Sequence, residues 1–291
     1  MYKRQGKISI PAYPFPEAAA RALAKAVEYG KWLNKEAGTL PVFPDVRREE
    51  ATVLVAEALH EGERWLTPKE TETLLGYYGI QLVKTRYAAT PQKAGLAAEQ
   101  MDGAVALKAF APGLVHKTEA GAVRLSLLGA AQTEQAAGEM LAQLQAAGVS
   151  DVEFVLQSMV PSGVEMIVGV THDPVFGPIM VCGAGGVFVE LLKDVAVRIT
   201  PLTDLDAREM VRSLKTYPLL NGYRGNPPSD VKALETLLLR MSALVEDIHE
   251  IAELDLNPVI VLPEGQGVAL VDARIRVAQA APSLPFGAKK R

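Results

Sequence analysis

Cysteine is almost absent from this chain of 291 residues, which contains only Cys182. A single thiol excludes an internal disulfide framework, and it equally excludes a metal site built from several cysteines. Because Cys182 lies in an apolar stretch typical of a strand, we expect its thiol to be buried and unreactive.

Long hydrophobic runs are missing as well. No apolar stretch approaches the ~20 residues that a membrane-spanning helix needs. Residues 1–5, Met-Tyr-Lys-Arg-Gln, lack the hydrophobic segment of a signal peptide. These absences predict a cytoplasmic protein without a membrane partner.

Neither sign of charge dominates, because the chain contains 30 Lys and Arg residues and 34 Asp and Glu residues, which gives a net charge of -4. A nucleic-acid-binding protein usually carries a strongly basic surface, so we expect no nucleic-acid partner. The sequence pattern of serine hydrolases is also absent. His60, His172 and His249 lie too far apart in the sequence to form a metal-binding motif.

What is present is an ordinary globular composition, 49% hydrophobic and 22% charged, with enough residues for one large domain or two modest ones. An alanine-rich helix is predicted from Glu17 to Leu33, then a Gly/Pro-rich linker near residues 38–45. A helix through His60 follows, and Thr67-Pro-Lys-Glu70 is a capping sequence that starts another. The remaining pattern is α/β, with strands predicted over 81–87, 105–108, 123–127, 154–159, 165–170, 179–182 and 187–199, and helices from residues 91, 133, 204 and 230.

The most informative polar pattern lies in residues 253–277, which predict two strands joined by a tight turn. With Glu264–Gly267 as the loop, Val259 faces Asp272 and Asn257 faces Arg274. Asn257 and Asp272 then become diagonal neighbours that could share Mg²⁺, a hard ion that prefers oxygen ligands. The alternative is a solvated face with an exposed ion pair of little energetic value. The polar residues that share this face are Asp255, Asn257, Asp272, Arg274 and Arg276.

Two further residues could carry chemistry. Lys108 ends an apolar strand, so its ammonium group must either extend to solvent or meet an anion such as phosphate. His116 lies in the polar loop that follows. Its imidazole could accept and pass on a phosphoryl group or a proton, or it could be an ordinary surface residue.

Gly183-Ala-Gly-Gly186 follows another apolar strand and would allow backbone N–H groups to approach a phosphate. A strand rather than a helix is predicted after it, so neither the phosphate-binding loop nor the dinucleotide fingerprint applies. A strand corner is the alternative explanation. In the next strand Glu190, Asp194 and Arg198 share one face, which predicts polar surroundings for that face.

Together these motifs resemble the ATP-grasp domain of the NDP-forming acyl-CoA synthetases, the family that includes ADP-forming acetyl-CoA synthetase. The resemblance covers about residues 66–277. Residues 10–32 are similar to the end of the CoA-ligase-like domain of that family. The motifs are Lys108 with His116-Lys-Thr-Glu-Ala-Gly121, Gly163-Val-Glu-Met-Ile-Val-Gly169, Asp173-Pro-Val-Phe-Gly-Pro178, Gly183-Ala-Gly-Gly-Val-Phe-Val-Glu190, Leu192-Lys-Asp-Val195, Asp255-Leu-Asn-Pro258 and Val271-Asp-Ala-Arg274.

The resemblance implies an α/β fold made of two ATP-grasp lobes. It divides the chain into the tail of a CoA-ligase-like domain at 1–40, a linker and helix at 41–65, the ATP-grasp domain at 66–281 and a flexible tail at 282–291. One departure from the family pattern is Ala122, where a second glycine is common. A Cβ at this position could stiffen the loop and hinder its approach to phosphate.

The resemblance also implies roles for individual residues. His116 would be the second phosphohistidine of the reaction, next to ADP or ATP, and Asn257 and Asp272 would hold Mg²⁺. Residues 157–160 would form the hinge between the lobes, with its backbone at the adenine edge. The residues implied to contact the nucleotide are Lys108, Glu165, Ser158, Val160 and Arg274.

In this family an acyl phosphate and CoA give acyl-CoA, and phosphate moves through phosphohistidine to ADP. The CoA-binding domain and the domain with the first phosphohistidine would lie upstream in the same polypeptide or on an alpha-type subunit. We expect a fragment or subunit that binds nucleotide but does not make acyl-CoA alone. The alternatives are a non-catalytic regulatory ATP-grasp module of a protein acyltransferase and an ATP-grasp carboxylate–amine ligase.

Overall fold

The structure, a computed structural model, describes residues 2–5, 8–111, 121–186 and 194–279, with the backbone alone for 2–5 and 8–10. His116, Glu190 and the predicted tail 282–291 lie outside the described residues. The chain divides into two compact units, Met1–Thr39 and Leu40–Arg291.

The first unit contains a two-stranded antiparallel ribbon and one helix. Strand β1 (Tyr2–Gln5) pairs with β2 (Ile8–Pro11), and helix α1 spans Pro16–Leu33. A ribbon of two strands has only edges, where the proline that ends β2 is tolerated. The assignment of this unit to the tail of a CoA-ligase-like domain stays a prediction.

The second unit begins with two helices that belong to its larger part. Helices α2 (Arg48–Leu59) and α3 (Pro68–Tyr77) flank the short strand β3 (Arg64–Trp65). The chain then enters a second, smaller layer, which we call the small lobe, residues 85–158.

The small lobe is a four-stranded antiparallel sheet covered on one face by two helices. Its strand order is β4-β7-β5-β6. Leu107, Met140 and Phe154 are fully buried between the sheet and the helices. The elements are β4 (Thr85–Ala88), α4 (Pro91–Glu99), β5 (Val105–Phe110), β6 (Val123–Leu127), α5 (Gly129–Ala146) and β7 (Glu153–Ser158).

The large lobe, residues 40–82 and 164–279, is built on a seven-stranded sheet with the order β10-β9-β8-β11-β13-β3, and β12 pairs with β11. Val168, Met241 and Leu254 are among the residues of its apolar core. The elements are β8 (Val164–Asp173), β9 (Gly177–Ala184), β10 (Val195–Ile199), α6 (Asp204–Arg212), α7 (Tyr217–Leu220), α8 (Val231–Asp247), β11 (Ile251–Val261), β12 (Val268–Leu270) and β13 (Ala273–Val277).

The chain crosses between the lobes twice, at residues 78–84 and 159–163. In the large sheet, Leu254 and Leu256 face the core, so the alternating Asp255 faces the other side. In the small sheet, Leu107 faces the core and Lys108 the other side. The face of each sheet that points away from its own core therefore lines the region between the lobes.

The predicted α/β architecture is confirmed, with three differences in extent. The strand predicted over 81–87 begins only at Thr85, because Leu82 makes an isolated bridge to Leu270 instead. Helix α5 begins at Gly129 rather than near residue 133, and Gln132 Oε1 accepts the N–H of Leu128 at its start. Of the strand predicted over 187–199, Val195–Ile199 forms β10, and residues 187–193 lie outside the described part.

Within the ranges that the structure describes, no helix is both long and apolar enough to cross a lipid bilayer.

The capping sequence at the start of α3 forms as predicted and is extended by an ion pair. Thr67 Oγ1 accepts the N–H of Glu70, and Glu70 Oε2 accepts the N–H of Thr67. Arg64 donates two hydrogen bonds to the same carboxylate, at 2.9 Å and 2.7 Å. The hydrogen bonds from Arg64 are the main reason why the pKa of Glu70 falls to about 2. One carboxylate thus holds β3 and α3 together.

We expect Glu70→Gln to lower the free energy of unfolding by about 2 kcal/mol near pH 7. Because the pKa of Glu70 is lower in the folded state, the ionised group stabilises the fold above about pH 4.5, and this is lost as the pH falls towards 2. Urea unfolding of both proteins between pH 3 and pH 7 should show the difference narrowing in acid.

Glu61→Gln is the matched control, because Glu61 pairs with the same arginine, at 3.0 Å, but its side chain is 73% exposed. Its cost should stay below about 0.5 kcal/mol. A pH-independent difference for Glu70→Gln, or equal costs for the two variants, would contradict the assignment.

Candidate functional site

A cleft of about 580 Å³ lies between the two lobes. Lys108 on β5 and Gln157 on β7 line it from the small lobe, and Asp272, Arg274 and Arg64 line it from the large lobe. Three of these residues, Lys108, Asp272 and Arg274, were predicted from the sequence to share one site. The structure brings those three together.

Lys108 does not extend to open solvent. Its side chain is partly buried, and Nζ donates a hydrogen bond to Val271 O of the large lobe at 2.9 Å. The contact places the ammonium group beside the backbone of Asp272. A second contact joins the lobes nearby, where Tyr87 Oη donates to Glu72 Oε2 at 2.6 Å.

The β11 hairpin has the predicted faces but not the predicted register. Val261 pairs with Val268 and Asp255 with Arg274, so the expected pairing of Asn257 with Arg274 is wrong by two residues. Asn257 lies opposite Asp272 instead, and its N–H donates to Asp272 O at 3.2 Å. A shift of two residues leaves each side chain on its predicted face.

The turn explains the shift. It occupies Pro263–Gln266, one residue earlier than expected, with the N–H of Gln266 bonded to Pro263 O at 2.9 Å. Asp230 Oδ2 accepts the N–H groups of Gly265 and Gly267, each at 3.0 Å, while Oδ1 caps the first turn of α8 at Ala233. A residue far away in the sequence therefore sets the turn, so the hairpin alone could not reveal it.

The polar face of the hairpin carries crowded negative charge. Burial raises the pKa of Asp255, the charge of Arg274 opposes this rise, and the carboxylates of Asp272 and Glu253 add to it. A divalent cation at this face would relieve the repulsion. The alternative interpretation, a solvated face with an exposed ion pair, would pair Asp255 with Arg276, but Arg276 pairs with Glu253 at 3.5 Å instead.

Among the described residues, no group of three or more His, Cys, Asp or Glu side chains could hold a metal. The pair Asn257 and Asp272 is chemically suited to Mg²⁺, which usually takes one or two protein oxygens and completes its shell with water and phosphate. Asn257 is exposed and Asp272 partly buried, so both remain accessible from the region between the lobes.

Glu165 lies at a second cavity, of about 590 Å³, at the end of the large sheet. Gly185 and Gly186 line the same cavity, and the N–H of Gly185 donates to Glu165 O at 2.8 Å. A Cβ on Gly185 would lie 2.9 Å from the carbonyl carbon of Glu165. The glycine at this position is therefore needed where two strands approach each other, which supports the strand-corner alternative.

Val160 lies in the second crossing between the lobes, and Ser158 is the last residue of β7 before that crossing. The N–H of Ser158 donates to Lys84 O and the N–H of Met159 to Ala104 O, both at 3.1 Å. Neither Ser158 nor Val160 lines the two cavities described above. They lie close to the connection between the two sheets, and their role as a hinge stays a prediction.

Ala122 does not narrow the cleft. Its side chain is fully buried in the apolar core of the small lobe, and its carbonyl accepts the N–H of Ala109 at 2.9 Å. Arg124 Nη1 holds the preceding residue through Gly121 O at 2.8 Å. The Cβ that departs from the family pattern therefore packs against the core side of the sheet.

Asp194 has polar surroundings, as expected. These surroundings are backbone and side-chain groups of the protein that hold a neighbouring segment in place. It is buried and accepts hydrogen bonds from the N–H groups of Lys215 and Thr216 and from Thr216 Oγ1. Burial favours its neutral form, yet the hydrogen bonds from Thr216 and Lys215 outweigh this and lower the pKa. Asp194 thereby anchors the segment that begins α7, which lines the second cavity.

Comparison with known proteins defines the class. A profile of the ATP-grasp domain matches residues 57–277. The chain therefore belongs to the ATP-grasp family, and its two-lobed fold is the ATP-grasp fold.

Its relatives include acid–CoA ligases. The chain is 37% identical to subunit beta of the ADP-forming acetate–CoA ligase II of Pyrococcus furiosus, over 78% of this chain and 97% of that subunit. It is 39% identical to the ADP-forming acetate–CoA ligase I of Archaeoglobus fulgidus, over 91% of this chain. It spans only 38% of the length of that second enzyme.

A solved structure is similar as well. The dinucleotide-forming acetyl-coenzyme A synthetase 1 of Ca. Korarchaeum cryptofilum matches with a TM-score of 0.68 and 35% identity, over 78% of this chain and 99% of that chain. That protein is described in complex with coenzyme A and Mg-AMPPCP, with its phosphohistidine segment pointing towards the nucleotide binding site.

The close approach at Gly185 gives a prediction. Gly185→Ala should lower the free energy of unfolding by about 2 kcal/mol, because the new Cβ meets backbone atoms that cannot move independently. Gly138→Ala is the control, because Gly138 lies in helix α5 with open space around it and alanine is the better helix former. Urea unfolding should show loss for the first variant and none for the second; equal midpoints would refute the steric account.

Proposed function

We propose that this chain is the nucleotide-binding, phosphoryl-transferring part of an ADP-forming acyl-CoA synthetase. The observation that carries the proposal is the cleft in which Lys108 of one lobe reaches the Asp272 hairpin of the other. Phosphoryl transfer depends mainly on positioning and charge neutralisation. A lysine, an arginine and a cation-holding carboxylate supply both.

In this proposal Lys108 and Arg274 bind the phosphate groups, and Asn257 and Asp272 hold Mg²⁺. The bound ion would neutralise charge on the transferred phosphoryl group. The hydrogen bond from Lys108 to Val271 O keeps the ammonium group at the cleft, where it can exchange this partner for a phosphate oxygen.

His116 would be the nucleophile. One imidazole nitrogen attacks the γ-phosphorus of ATP, the bond to the β,γ-bridging oxygen breaks, and ADP leaves; the reverse step makes ATP. This role rests on the family resemblance, because His116 lies outside the described residues. Ala111, the last described residue before the segment that contains His116, lines the cleft.

The base would lie at the connection between the lobes, with the backbone of Ser158 and Val160 at its edge and Glu165 contacting the nucleotide from the large lobe. The position of residues 159–163 between the two sheets supports placing the base there. Glu165 lines the second cavity and not the cleft with Lys108, so its contact with the nucleotide rests on the resemblance alone.

The complete reaction would convert acyl-CoA, ADP and phosphate into acid, CoA and ATP, reversibly, in the cytoplasm. The chain spans 38% of the length of the Archaeoglobus enzyme, and in this proposal other domains would bind CoA and carry the first phosphohistidine. These would be upstream in the same polypeptide or, as the name subunit beta of the Pyrococcus relative indicates, on an alpha-type subunit.

Lys108→Met should weaken binding of Mg-ADP about tenfold or more, because it removes a charged hydrogen-bond donor. Titration calorimetry would measure the change. Lys93→Met is the control. This substitution removes the same charge, but from the exposed surface of α4 in the same lobe. Equal affinity of the two variants for Mg-ADP would refute a phosphate-binding role of Lys108.

His116→Ala should abolish transfer of labelled γ-phosphate from ATP to the protein. The label on the unchanged protein should be lost in acid, as expected for phosphohistidine. The assay would use ³²P-ATP with Mg²⁺ and the alpha-type subunit of a relative. Label that survives acid, or that persists in His116→Ala, would contradict the proposed carrier.

A further inference from the structure

Tyr87 on β4 makes a second bond between the lobes, besides the one that Lys108 makes. Its hydroxyl donates to Glu72 Oε2, on α3 of the large lobe, at 2.6 Å. This distance is typical of a hydrogen bond from a hydroxyl to a carboxylate. Burial, and then the hydrogen bond to Glu72, raises the pKa of the Tyr87 phenol. The hydroxyl therefore keeps its proton near neutral pH and stays a donor.

The register of the small sheet relates Tyr87 to Lys108. Tyr87 lies opposite Val155 of β7, and Val155 lies opposite Lys108 of β5. The three residues thus form one row across adjacent strands, and all three line the cleft. Neighbouring strands lie about 4.8 Å apart, so the Cα atoms of Tyr87 and Lys108 are about 10 Å apart in one hydrogen-bonded sheet. A shift of Tyr87 relative to the large lobe would therefore also move Lys108.

The two ends of this row meet different acceptors of the large lobe. Lys108 Nζ bonds to Val271 O, a neutral carbonyl that a phosphate oxygen would replace when a nucleotide binds. Tyr87 bonds to Glu72, whose side chain does not line the cleft. A ligand in the cleft would leave this second bond in place. Of the two bonds, the one from Tyr87 can therefore hold the lobes together both before and after a nucleotide binds.

Resting on the proposed function, we propose that Tyr87 is a positioning residue, whose bond to Glu72 holds the small sheet at the distance from which Lys108 reaches phosphate. Tyr87 itself would touch neither the phosphate groups nor the metal. A protein that is already held in its binding geometry loses less freedom when the ligand binds. Removal of the bond should lower the fraction of the protein that is competent to bind, and with it the apparent affinity.

The test measures binding of Mg-ADP to the full chain by titration calorimetry. Tyr87→Phe keeps the ring but removes the hydroxyl, and it should weaken binding about fivefold. Glu72→Ala should cause the same loss. The double variant should lose no more than either single variant, because both substitutions remove the same bond. Glu72→Gln keeps an acceptor oxygen for the phenol and should retain most of the affinity.

Tyr78→Phe is the matched control. Tyr78 Oη donates to Asp247 Oδ2 at 3.0 Å, and both residues belong to the large lobe. This variant should lower the free energy of unfolding but leave the affinity for Mg-ADP unchanged. Tyr87→Phe should cost less stability, because Tyr87 is 38% exposed whereas Tyr78 is fully buried. Equal losses of affinity in the two variants would indicate a general loosening of the fold and overturn the inference.

Lys108→Met decides whether Tyr87 acts through the lysine. In that background Tyr87→Phe should cause no further loss of affinity for Mg-ADP, whereas an independent structural effect would add in full. If Lys108→Met weakens binding but Tyr87→Phe does not, or if the two losses add, this inference fails alone. If Lys108→Met binds Mg-ADP as tightly as the unchanged chain, the proposed function fails and this inference fails with it.

Discussion

The hydrogen bond between Lys108 and Val271 O is the contact on which the candidate site depends. Without this bond, the ammonium group of Lys108, which follows an apolar stretch of its strand, would have to extend into solvent. Because the acceptor is a backbone carbonyl next to Asp272, the contact fixes the small lobe against the hairpin that would hold the metal. The cleft, its charge balance and the position of its proposed phosphate-binding groups all follow from this meeting of two sheet faces.

Much of this could be predicted from local patterns. The capping sequence at Thr67 formed because all its parts lie within one helical turn. Alternation along β5 and β11 placed Lys108 and Asp255 on the correct faces, since a strand has a period of two residues. The family motifs then grouped Lys108 with Asp272 and Arg274, which lie more than 160 positions further along the sequence and line the same cleft in the structure.

The rest depended on contacts between residues distant in the sequence. The hairpin register required Asp230, which no pattern within residues 253–277 could indicate. Glu165 lies at a different cavity from Lys108, because strand β8 carries it to the end of the large sheet. Gln157 was predicted only as part of the hinge 157–160. Its buried side chain in the cleft wall, 3.5 Å from Thr85 Oγ1, was not predicted, because Thr85 lies 72 positions away in the sequence.

Asp230 has a consequence for how this sequence can change. Its two carboxylate oxygens tie the first turn of α8 to the loop of the hairpin. Inserting or deleting one residue in that loop would detach the cap or shift the pairing of β11 with the segment after the loop by one residue, so that Asn257 and Asp272 would no longer share one face. The loop is exposed and rich in glycine, which usually permits variation in length, yet here its length is tied to the register that sets Asn257 opposite Asp272.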